Sequence, residues 1–89
     1  MVYNLYTVEW VDEWSGGWDT YDSMVVCASS ERDARNWHPG GCLMEQVNAD
    51  DKHPSWCHPS KTHLLEVHHI GTAVATLEPG VIAASFNAG

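Results

Sequence analysis

Apolar and polar positions follow a changing period along this chain, and the changes divide it into segments. Residues 2–11, "VYNLYTVEWV", are rich in β-branched and aromatic side chains with partial alternation, which predicts a strand. "DEWSGGWDT" (12–20) sets two adjacent glycines between two tryptophans and predicts a hairpin turn or exposed loop. "YDSMVVCA" (21–28) predicts a second strand, its apolar run suited to burial on both faces. The short connection makes the two an antiparallel hairpin.

The period then becomes helical. In "SSERDARNWHPGG" (29–41), Ser30 can cap a helix and Asp33 answers it three residues later. Ala34 and Trp37 fall on one face, and Pro39, Gly40 and Gly41 stop the helix. A helix near 30–37 is too short to hold alone, so Trp37 must dock on a sheet. From Cys42 to Ser60 the pattern is irregular. "THLLEVHHIG" (62–71) predicts a strand, "TLEPG" (76–80) a turn and "VIAASFN" (81–87) a last strand.

This order predicts an α+β fold: a small four-stranded, mostly antiparallel sheet with one short helix and an irregular His/Cys-rich segment. A small barrel or roll with the helix plugging one end is the alternative. Expected core positions are Leu5, Val8, Val25, Cys27, Ala34, Trp37, Leu65, Val67, Ile82 and Phe86. The 2–11 and 81–87 strands would leave unpaired sheet edges, which favours a homo-oligomer, with a dimer as the first expectation.

Size makes this a single domain over residues 1–89. A hydrophobic content of 44% and five tryptophans argue for a folded chain rather than a disordered one. Residues 1–20 lack a basic start and a continuous apolar run, so neither a leader nor a membrane span is expected. Three cysteines, Cys27, Cys42 and Cys57, suit a reducing cytoplasm.

Charge changes the picture most. Twelve acids face four bases, for a formal charge of −8. Such a surface repels duplex nucleic acid and anionic membrane and attracts basic partners. Trp14 and Trp18 sit among Asp12, Glu13 and Asp19, and Trp56 follows in "KHPSWCHPSKTH" (52–63). Aromatics ringed by acids suit a basic protein partner, since tryptophans are frequent interface anchors. The ordinary alternative is that these tryptophans pack the core and the acids keep the chain soluble. A nucleotide would need cations, and only Arg32, Arg35, Lys52 and Lys61 supply them.

His38 and Cys42 are spaced like His53 and Cys57, and two such short pairs are how small domains build a tetrahedral zinc site. The prolines that follow His38, His53 and His58 restrict the backbone there, and exposed or satisfied structural histidines are the common outcome. No cofactor is therefore expected, with zinc on His38, Cys42, His53 and Cys57 as the minority reading. No phosphate loop, nucleophile elbow or paired-carboxylate motif occurs, so no enzymatic activity is expected.

The stretches "YDSMVVCASSERDARNWHPGG" (21–41) and "IGTA…GVIAASFNAG" (70–89) resemble small accessory proteins of tailed bacteriophages. In these a "YDSxVV" strand, an acidic "SEEEAR"-like helix and a terminal "ASFNAG" recur. The resemblance implies a viral protein made in the cytoplasm of a bacterial host. It carries no assigned activity to particular residues. The leading expectation is a non-enzymatic phage protein that binds and inhibits a host protein, such as an anti-phage defence protein, through its acidic, Trp-bearing surface. A second reading is an oligomer that sequesters a small nucleotide immune signal near Arg32, Arg35 or Lys61, and a third is a structural or assembly role in the phage.

Overall fold

The computed structural model describes residues 2–10, 20–47 and 56–87. Strand β1 (Asn4–Glu9) leads to β2 (Thr20–Ala28), helix α1 (Glu31–Arg35), a 3-10 turn at Met44–Gln46, a kinked 3-10 segment at Pro59–Leu64, and strands β3 (Glu66–Thr72) and β4 (Gly80–Asn87). The strands form one sheet in the order β3-β1-β2-β4, antiparallel at every pairing. The α+β class and the four strands match the pattern of the sequence. The expected edge at residues 2–11 does not. β1 pairs with β2 on one side and β3 on the other, so the sheet edges are β3 and β4.

Period-two alternation explains the buried face. Tyr6 lies opposite Val26 and Val8 opposite Met24, so all four side chains share one side of the sheet. They are buried there with Ala28, Ala34, Met44, Trp56, Cys57 and Leu65 in one cluster. Burial of each Val or Met contributes about 1.5–3 kcal/mol relative to exposure. The run Val26, Cys27, Ala28 is buried without a break, as its apolar character predicted.

Helix α1 is shorter than the expected 30–37. Ser30 caps it in an extended conformation (φ −157°), and its Oγ accepts the Asp33 N–H at 3.2 Å. Only Ala34 of the helix is buried. Arg35, in the last turn, donates through Nη1 to the carbonyls of Thr62 at 3.1 Å and Leu65, tying the 3-10 segment to the helix.

Three expectations need correction. Ile82 and Phe86 are 48% and 49% exposed, because β4 lies at the edge of the sheet and, among the described residues, has a neighbouring strand on one side only. Trp56 is 1% exposed and meets Trp10 edge-on at 5.9 Å, so it packs the core rather than standing out as a binding anchor. Trp37 lies past the helix, in an isolated bridge with Leu43, and is half-buried. Of the irregular His/Cys-rich segment, residues 48–55 lie outside the described residues. Among the described residues no helix is long and apolar enough to cross a membrane.

Candidate functional site

The "NWHPGGCLM" stretch builds the most distinctive surface feature. Its residues return on themselves: Gly41 N–H donates to the His38 carbonyl at 2.9 Å, closing a four-residue turn with Pro39 second. His38 N–H donates to the Cys42 carbonyl at 2.7 Å, and Met44 N–H to the Asn36 carbonyl at 2.6 Å, so Trp37 and Leu43 face each other across a miniature hairpin. Side chains reinforce the turn. His38 Nδ1 accepts the Gly40 N–H at 2.8 Å, and Gln46 Oε1 accepts the Leu43 N–H at 2.9 Å. Gly41 has φ +99°, a conformation that favours glycine, and a Cβ on Gly40 would press on His38 Nδ1 at 3.0 Å.

The hairpin forms one wall of a cleft of about 380 Å3 at the end of the sheet where β2 stops and β4 begins. Trp37, Leu43, Tyr3 and Pro79 supply apolar wall, and Asp33, Asn36 and Ser29 supply polar groups. Ser29 Oγ donates to one oxygen of the exposed Asp33 carboxylate, fixing its direction. The far edge of the Trp37 indole lies against Gly80, where a Cβ would stand 3.9 Å from Cη2. A second hollow of about 200 Å3 shares Asn36 and Leu43 with the first and adds Glu45. Among the described residues, neither hollow has a Lys or Arg in its lining. An aromatic wall in one cleft with an oriented carboxylate is a setting for a cationic side chain, which gains from the ring and from the carboxylate together. A third hollow, about 300 Å3, lies on the sheet between Thr7, Val25 and Ala83, and no aromatic residue lines it among the described residues.

Of the residues expected to bind a partner, Asp12, Glu13, Trp14, Trp18 and Asp19 lie outside the described residues. Of the nucleotide candidates, Arg35 has Nη1 engaged by backbone carbonyls, while Arg32 and Lys61 are exposed. Lys52 lies outside the described residues.

Of the zinc candidates, His53 also lies outside the described residues, and among those described no group of three or more His, Cys, Asp or Glu is placed to hold a metal ion. With Nδ1 accepting from Gly40, the neutral His38 ring carries its proton on Nε2, the tautomer that leaves neither nitrogen open as a ligand without breaking that bond. Burial lowers the His38 pKa and holds the ring neutral. Cys27 and Cys57 are buried and Cys42 is half-buried; burial raises the Cys27 thiol. His68 and Glu66 form an exposed pair at 2.9 Å on β3.

The cleft was not foreseen. The sequence pattern places Trp37 in the core and reads "HPGG" as a helix stop. The available signal was an aromatic residue immediately before a Pro-Gly turn, which is a way to present a ring at a hairpin rather than bury it. No family model matches the chain, and comparison with curated proteins and with solved structures finds no match either.

Proposed function

We propose that this chain is a non-enzymatic binding protein that grips a basic protein partner by taking a cationic side chain, an arginine above all, into the Trp37 cleft. The observation that carries this reading is that Trp37 and the Asp33 carboxylate line one cleft, with no Lys or Arg among its described lining residues. Arginine fits because its planar guanidinium stacks on an indole while its N–H groups reach a carboxylate. The chain's charge of −8 steers such a partner toward the surface. In the setting that the phage resemblance implies, the partner is a host protein and binding inhibits it in the host cytoplasm.

The test is affinity recovery from bacterial lysate with the wild type and with the Trp37→Leu, Asp33→Asn double variant. The reading expects a specific basic protein that is retained by the wild type, released by salt and missing from the double variant. A co-purifying nucleotide, or the same protein recovered equally by both baits, overturns it.

A further inference from the structure

The Trp37 cleft has a smaller neighbour. The hollow of about 200 Å3 is lined, among the described residues, by Asn36, Leu43 and Glu45, and the first two also line the cleft. Asn36 and Leu43 therefore stand between the two hollows. Backbone bonds hold this partition in place. Met44 N–H donates to the Asn36 carbonyl at 2.6 Å, and Leu43 N–H donates to Gln46 Oε1 at 2.9 Å. Each hollow then has one carboxylate of its own. Asp33 lies three residues before Asn36, one helical turn away, and Glu45 follows Met44 in the 3-10 turn. Both acids are exposed. The exposed Asn36 side-chain amide makes no hydrogen bond among the described residues, so the partition presents a donor and an acceptor together.

We propose that the hollow at Glu45 is a second cation subsite, and that the partner segment is an extended peptide with two basic residues separated by one other. The Glu45 subsite has this role only where the Trp37 cleft takes the first of the two cations, so it rests on that reading. In an extended chain, residues i and i+2 point to the same side about 6.5–7 Å apart, and the residue between them points away. One basic side chain enters the Trp37 cleft toward Asp33, and the other reaches Glu45. The peptide between them crosses Asn36, whose amide can pair with a backbone N–H and C=O.

Charge selects the occupant. Neither hollow has a Lys or Arg among its described lining residues, and the chain carries a formal charge of −8. A second copy does not fit, because its four bases, Arg32, Arg35, Lys52 and Lys61, include no pair with the one-residue spacing.

The test is a set of nuclear magnetic resonance titrations of the full chain with two blocked peptides of equal charge and composition. Gly-Arg-Ala-Arg-Gly has the required spacing, whereas the adjacent arginines of Gly-Arg-Arg-Ala-Gly point to opposite sides of an extended chain. The first is expected to bind about three- to fivefold tighter, the size of one exposed ion pair. It should also shift the Asn36 side-chain amide and the Glu45 backbone amide together with the Trp37 indole. Glu45→Gln removes the preference, and both peptides still move the Trp37 indole. Glu31→Gln removes an exposed acid that lines neither hollow and keeps the preference, which separates a local contact from overall charge. Equal affinity for the two peptides, or a preference that persists in Glu45→Gln, overturns the proposal. A saturable Trp37 shift with Gly-Arg-Gly would then leave the arginine cleft standing, whereas no shift with any of the three peptides overturns both.

Discussion

Arg35 Nη1 donates to the Thr62 carbonyl at 3.1 Å, joining residues 27 positions apart. The same nitrogen meets the carbonyls of His63 at 3.4 Å and Leu65. A charged donor thus satisfies carbonyls at the end of the 3-10 segment Pro59–Leu64, which would otherwise lack partners in a partly buried place. Through it the helix fixes the chain just before β3 and sets Leu65 into the core. Arg35→Met keeps the apolar stem and removes the donor. It is expected to cost about 2 kcal/mol in chemical denaturation, whereas Arg32→Met, at an exposed position, changes stability by less than about 0.5 kcal/mol.

The His38 ring gives a pH signature. Its folded pKa is lowered by burial, so the unfolded chain takes up the proton first as pH falls. Stability from the neutral ring is fully present above the ordinary histidine value of about 6.5 and is lost as pH drops below it. Stability of the wild type should therefore fall more steeply than that of His38→Asn between about pH 6.5 and 5. Parallel curves from denaturant melts across that window would show that the ring is not held neutral by its surroundings.

The thiols differ in access. Cys27 and Cys57 are buried and Cys42 is half-buried. Since the thiolate is the reactive form, and burial raises the Cys27 thiol further from it, a disulfide-exchange reagent should modify one thiol of the native protein rapidly. Cys42→Ser should remove that fast phase, and denaturant should restore reaction at the other two.

Much of the fold was legible because it rests on local period. Alternation in "NLYTVE" and the Ser30–Asp33 cap are short-range signals, and both elements form where those signals lie. Strand order is not local. Nothing within "VIAASFN" distinguishes a central strand from an edge strand, so Ile82 and Phe86 read as core although the order β3-β1-β2-β4 leaves them half exposed. The same limit hid the site. Trp37 reads as an apolar residue near a helix end, and only its bridge to Leu43 and its contact with Gly80 turn it into a cleft wall. Arg35 reads as a free cation for the same reason, since its carbonyl partners are remote in sequence.

Edge placement also resets a stability expectation. A fully buried phenylalanine costs about 3–5 kcal/mol when cut to alanine. Phe86 is 49% exposed and packs mainly on Tyr21, so Phe86→Ala is expected to cost only about 1–2 kcal/mol at concentrations where the chain is monomeric. A loss in the full range would place Phe86 in the core.

A nuclear magnetic resonance titration with a blocked Gly-Arg-Gly peptide tests the Trp37 cleft most directly. The Trp37 indole resonance should shift in a saturable way, and binding should weaken at least about tenfold when citrulline, which is nearly isosteric but uncharged, replaces arginine. Asp33→Asn should weaken it by a similar factor without unfolding the protein, because the carboxylate is exposed. An indole resonance that does not move, or that moves equally for arginine and citrulline peptides, contradicts the assignment of the cleft to a cationic side chain.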